Sequence, residues 1–217
     1  MKKRSNNSDV YVLSMLEKLE IIQQYALNLD TATIYLAGEV DGNLSTALRL
    51  KYDMLKIYWA DELKKPLNTI TLIINSIGGD ASTIASVRDF YEEILKKDKV
   101  VVDVHAESVC MSAATFIVAG ATGVRRASKR TRFMVHEMQI EGVGGTATQT
   151  KACNVEIERM QRECYELYAH FQHARDPQKP SKVSMQKTIK QWENLCEKET
   201  YLSAVEAKKL GIIDEIV

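Results

Sequence analysis

Ser112 stands where a β-branched run gives way to small apolar residues, within "VVVDVHAESVCMSAATFIVAG" (Val100–Gly120). A serine between a strand and a helix start has unpaired backbone N–H groups beside it, and these can stabilise an alkoxide or an oxyanion. Ala113 and Ala114 leave room there for a substrate backbone. The same residue in the same place is also an ordinary helix cap. A second feature is the turn "NSIGGD" (Asn75–Asp80). Two glycines directly after a buried strand permit close backbone approach and unusual dihedrals, so an exposed N–H in this turn would supply one arm of an oxyanion hole. His136 ends "TRFMVH", where alternation sets it on the face of Met134 and Arg132. An imidazole at a strand end can take the proton of a serine hydroxyl. The chemistry these types would do together is acyl transfer through an activated serine. A third member would be a carboxylate orienting the imidazole, and spacing alone does not choose it from 29 acidic residues.

These side chains need strands and helices that end together. Up to about Asn28 the chain shows Leu13, Leu16, Leu19, Ile22 and Tyr25 at helical spacing. "TATIYLAGEV" (Thr31–Val40) reads as a strand, "LSTALRLKYDMLKIYWADEL" as a helix, and "TITLIINS" (Thr69–Ser76) as a strand buried on both faces, the habit of parallel sheets. A helix follows Gly78–Gly79, then a strand over Lys99–His105, then the apolar helix "SAATFIVAG". Strands alternating with helices through short links predict an α/β fold of right-handed crossovers. Beyond His136, "ACNVEIERMQRECYELYAHFQHA" is a long amphipathic helix, and its His170 and His173 read as solvated. "RDPQKPSK" is a loop, and a further helix leads to "ETYLSAVEAKKLGIIDEIV". There Ser203 and Glu206 form a capping box, Gly211 stops the helix and "IIDEIV" closes as a strand.

Composition narrows the function class. The 217 residues are 45% hydrophobic, enough for a substantial core. With 29 basic and 29 acidic residues the formal net charge is +0, which argues against a broad nucleic-acid or anionic-membrane surface. No apolar run reaches the roughly 20 residues of a membrane span. Charges interrupt "MKKRSNNSDVYVLSMLEK" where a secretory core would be apolar. Cys110, Cys153, Cys164 and Cys196 lack paired or ligand spacing, so reduced structural thiols in a cytoplasmic protein are expected, with no metal.

The order of "IYLAGEV", "LIINSIGGDASTIASVRDFY", "VAGATGVRRA", "RFMVHE", "GVGGTATQT" and "YLSAVEAKKLGIIDEIV" resembles the proteolytic subunit of the ATP-dependent Clp protease, the ClpP family, from about Thr33 to Val217. The resemblance implies a spiral of βαβ units, of the ClpP and crotonase kind, with a protruding helix-and-strand handle over about 137–175. It divides the chain into an N-terminal helical extension (1–30) and a peptidase domain (31–217). It implies heptameric rings stacked in pairs, polypeptide substrates, an AAA+ Clp ATPase as partner, and no cofactor, ATP being used only by that partner. His136 takes the general-base position, and Gly79 and Ala113 take the oxyanion-hole positions. The nucleophile motif fits "SVCMS" with Ser112 as the nucleophile. Counting back from His136 without a gap sets Met111 on that position instead, and Cys110 is a third candidate. A one-residue shift turns a helix by about 100°, so only one of them can face His136, and only a hydroxyl or thiol can attack an amide. The third triad position falls on Glu199 in "KETYLSA", with Asp176 as a weaker substitute. Two other readings stand beside the peptidase: a catalytically silent subunit of mixed rings, and an acyl-CoA enzyme of the related crotonase fold.

Overall fold

The structure is a computed structural model and describes residues 13–139, 144–175 and 178–217. The first residues of the N-terminal extension, Gly142 of the glycine-rich stretch and Asp176 lie outside the described residues. The elements run α1 (Met15–Tyr25), β1 (Leu27–Asn28), β2 (Thr33–Val40), α2 (Leu44–Asp61), β3 (Thr69–Gly79), α3 (Thr83–Asp98), β4 (Val101–Met111) and α4 (Ala113–Ala119). They continue with β5 (Arg125–Ala127), β6 (Arg132–Val135), α5 (Ala147–His173), α6 (Lys182–Glu197), β7 (Thr200–Ser203), α7 (Ala204–Lys209) and β8 (Glu215–Ile216).

The strands form one sheet in the order β1-β2-β3-β4-β5-β8. From β2 to β8 every neighbour is parallel, as the crossover pattern predicts. Leu72, Ile74, Val102, Val104 and Ala106 are buried on the covered face, against Val87, Phe90, Tyr91 and Ile94 of α3. Each buried Leu, Ile or Val side chain contributes roughly 1.5–3 kcal/mol by leaving water. All seven residues of α4 are buried, which explains a helix with no polar stripe.

The sheet breaks at one level, and that break builds the site. The β2–β3 pairing shifts between Ala37 and Glu39, around Gly38 with φ +92°. The β3–β4 pairing shifts between Ile74 and Ser76, and β4 has Ser108 at φ +55°. Below the break β4 pairs with β5 over Val104–Ala106; above it, β4 pairs in parallel with β6 over Val109–Met111. The antiparallel strand β7 covers the other edge of β6. The ends of β3, β4, β6 and β7 thus converge.

Capping boxes open both α5 and α7, the second of them expected. Thr146 and Gln149 form a capping box on α5, and Ser203 and Glu206 form the expected one on α7. Burial in α5 begins only at Tyr165, so its first half stands away from the body while its second half packs on α6. His173 is not simply solvated. Its Nε2 bonds Thr188 Oγ1 at 2.9 Å and ties α5 to α6.

Candidate active site

Ser112 sits on the elbow between β4 and α4. Its φ of +51° and ψ of −129° are rare for a residue with a Cβ, a conformation costing about 1–3 kcal/mol that must be held by its surroundings. Three bonds hold it. Ser112 N–H donates to Met134 O at 2.8 Å, while Ser112 O accepts from the Thr115 amide at 3.0 Å and from Thr115 Oγ1 at 2.7 Å. Gly78 makes the elbow possible. A Cβ on Gly78 would stand 2.6 Å from both Met111 O and Ser112 Cβ.

The bond from Ser112 to Met134 also fixes where His136 arrives. Met134 pairs with Met111, and His136 follows two residues later just past β6. Its Nε2 lies 2.7 Å from Ser112 Oγ, a hydrogen bond. When the ring carries its proton on Nδ1, the hydroxyl donates to Nε2. Of the three residues that the sequence leaves in competition, Ser112 is therefore the one bonded to the imidazole. Cys110 is fully buried, and burial pushes its thiol far up. The other histidines are engaged elsewhere: His105 Nε2 with Ser128 Oγ at 3.0 Å, His170 Nδ1 with Glu166 O at 2.6 Å, and His173 on Thr188.

Glu199 comes close without joining. Val135 pairs with Thr200 at the end of the β6–β7 ladder, and the next step would pair His136 with Glu199. The Glu199 carboxylate instead accepts from Tyr201 Oη at 3.2 Å. Among the described residues no carboxylate oxygen lies within 4.0 Å of a His136 ring nitrogen. The neighbouring Glu137 accepts from Tyr165 Oη at 3.0 Å.

The backbone donors are arranged beside the serine. Ala113 opens α4, so its N–H has no partner within that helix, and the Ser112 side chain does not cap it. Gly78 N–H donates to Ser76 Oγ at 3.1 Å, and Asp80 N–H donates to Val40 O at 2.8 Å. Gly79, between them, lines the cavity with φ +145°. Ser112, Ala113, His136, Gly79 and Glu199 all line one cavity of about 890 Å³. Its apolar wall includes Phe116, Met138, Met160 and Tyr168. The sequence marked Gly78 as one of the two glycines allowing close backbone approach, but Ser76, Thr115 and Tyr168 were not singled out; a threonine three residues after a turn serine, able to bond its carbonyl, is the one local signal for Thr115.

Among the described residues no group of three His, Cys, Asp or Glu side chains is arranged to hold a metal ion, and no helix is long and apolar enough to cross a membrane. A crossover α/β sheet with a projecting helix, and a serine and histidine meeting where its strands end, is the fold of ClpP-type peptidases. The family model described as Clp protease matches residues 17–217, and the chain belongs to that family. The match starts within α1, earlier than the resemblance read from Thr33. The crotonase-type alternative is set aside by it.

Proposed function

We propose that the chain is a serine endopeptidase subunit with Ser112 as nucleophile and His136 as general base. The observation that carries this reading is the 2.7 Å hydrogen bond between Ser112 Oγ and His136 Nε2 on a strained elbow. Ser112 Oγ attacks the scissile carbonyl carbon as its proton passes to Nε2. The carbonyl oxygen becomes an oxyanion that the Ala113 and Gly79 amides receive. Collapse expels the amine, which takes the proton from His136 and leaves an acyl-enzyme. Water then attacks the ester, its proton going to His136, and the acid product leaves as Ser112 recovers its proton. Glu199 orients the imidazole once its carboxylate turns to Nδ1.

Family membership supports unfolded polypeptides or peptides as substrates, a chamber of self-assembled heptameric rings in a cytoplasmic setting, and an AAA+ Clp ATPase that alone consumes ATP. A fluorophosphonate probe tests the chemistry. It is expected to label the wild type at one serine and to leave Ser112→Ala unlabelled; equal labelling of both overturns the assignment.

One observation favours a second reading, a silent subunit of mixed rings: the Glu199 carboxylate is bonded to Tyr201 rather than to His136. That reading requires ring assembly in native mass spectrometry without hydrolysis of fluorogenic peptides. Turnover by the purified chain alone eliminates it.

A further inference from the structure

The Ser112 carbonyl is gripped by Thr115, and Thr115 by Tyr168. Thr115 Oγ1 donates to Ser112 O at 2.7 Å. A threonine hydroxyl has one proton to give. With that proton on the carbonyl, the 2.5 Å contact between Thr115 Oγ1 and Tyr168 Oη has the tyrosine as donor. Burial drives the Tyr168 phenol well above its ordinary range, so it remains a donor. The phenol is itself immobilised. Its ring lies stacked between Phe116, 4.1 Å between centroids, and Trp192, at 4.4 Å. Trp192 Nε1 in turn donates to Gln172 Oε1 at 2.8 Å. Thr115 and Trp192 are fully buried and Tyr168 is 2% exposed.

This relay acts on one peptide unit. The bond joining Ser112 to Ala113 is trans, as are all the others described. In a planar trans peptide the C=O and the N–H point in opposite directions. Holding the Ser112 carbonyl toward Thr115 therefore aims the Ala113 N–H the other way. The same grip fixes ψ of Ser112, in a conformation that a residue with a side chain does not hold unaided.

We propose that Thr115 and Tyr168 are positioning residues: the relay from the Tyr168 hydroxyl through the Thr115 hydroxyl to the Ser112 carbonyl sets the Ala113 amide toward the developing oxyanion. The inference rests on the serine mechanism above and adds to it two side chains of the buried wall, which never touch the scissile bond. Because an oxyanion donor acts chiefly on the transition state, its misalignment lowers kcat more than it raises KM.

The test compares Thr115→Val, Tyr168→Phe and Thr115→Ser with the wild type, using a fluorogenic peptide and a peptide aldehyde whose hemiacetal presents an oxyanion. Thr115→Val and Tyr168→Phe are expected to lower kcat about 10- to 100-fold, to change KM less than about twofold, and to weaken aldehyde affinity by the factor lost in kcat. Thr115→Ser keeps the hydroxyl and is expected to restore both. Tyr168→Phe keeps the ring stack, so it decides the matter alone should Thr115→Val fail to fold. Wild-type kcat and aldehyde affinity in Tyr168→Phe overturn the relay while leaving Ser112 as nucleophile. A kcat loss with unchanged aldehyde affinity overturns it too. A wild type that neither turns over peptide nor takes the fluorophosphonate overturns the serine mechanism, and the relay's role with it.

Discussion

His136 and Glu199 each lie one residue past Val135–Thr200, the last pair of the β6–β7 ladder, and the Glu199 carboxylate is bonded to Tyr201. In the proposed mechanism Glu199 would orient the imidazole, and its bond to Tyr201, two residues away, competes with that role. Glu199 itself has φ +47°, a left-handed conformation at the start of β7. Removing the competitor frees the carboxylate. Tyr201→Phe is expected to raise kcat on a fluorogenic peptide by on the order of fivefold, the effect of one modest hydrogen bond, with KM unchanged. Glu199→Ala is expected to lower kcat by about 10²-fold or more, the loss of an imidazole-orienting carboxylate. Steady-state kinetics of both variants decide it; a Glu199→Ala enzyme with wild-type kcat removes that residue from the mechanism.

Gly78 packs directly against Ser112, the proposed nucleophile. A methyl group there meets Met111 O and Ser112 Cβ at 2.6 Å, and its φ of +95° disfavours any side chain. The elbow must shift to admit it, and a displacement of about 1 Å at a reacting atom costs on the order of 10²-fold in rate. Gly78→Ala is therefore expected to lose at least that factor in fluorophosphonate labelling rate while circular dichroism still reports the fold. Labelling at the wild-type rate would show that the elbow does not need this contact.

Much of the fold was legible because its signals are periodic. The nearly continuous apolar run Thr69–Ser76 marked a strand, although burial on both faces did not follow: Ile70, Leu72 and Ile74 are buried while Thr69, Thr71 and Ile73 on the other face stay partly exposed. Ser203–Glu206–Gly211 marked both ends of α7. What stayed hidden was short or broken the period. The strand over Lys99–His105 in fact runs on to Met111, because Glu107 and Ser108 interrupt the apolar alternation at a bulge rather than ending the strand. β5 and β7 were missed, one carrying Arg125 and Arg126 and the other only four residues long. The competition between Met111 and Ser112 could not be resolved by counting. Ser112 has a positive φ, a conformation that glycine, and less often asparagine or aspartate, announces in a sequence and a serine does not.

The four thiols are expected to separate sharply by reactivity. Cys153 is exposed on the projecting half of α5. Burial pushes the Cys164 thiol up to about 11 and the Cys196 thiol up to about 12, with Cys110 higher still. Reaction requires thiolate and access, so a disulfide reagent at neutral pH is expected to titrate one thiol rapidly in the native protein and four after denaturation. Replacing Cys153 with serine removes the rapid phase. A second rapid thiol would mean that the wall formed by α5 and α6 opens in solution.

Arg125 and Asp214 supply the clearest dependence of stability on pH. The guanidinium is 2% exposed and bonds Asp214 Oδ1 at 2.5 Å and Oδ2 at 3.0 Å, with Ala119 O and Gly211 O as further acceptors. This joins β5 to the turn before β8. Burial works to raise the Asp214 carboxyl, but the hydrogen bonds from the Arg125 side chain and amide outweigh it and hold the group below the usual carboxylate range. A carboxyl depressed in the folded state contributes stability above its unfolded value, near 3.8, and that contribution is lost as pH falls through the lower folded value. Asp214→Asn leaves the buried guanidinium without a counter-charge, at an expected cost of about 3 kcal/mol near neutral pH. Urea denaturation is therefore expected to show a wide gap between wild type and Asp214→Asn near neutral pH, narrowing below about pH 4 as the wild-type carboxyl protonates. A gap constant across that range would mean that the aspartate acts by packing and hydrogen bonding rather than by its charge.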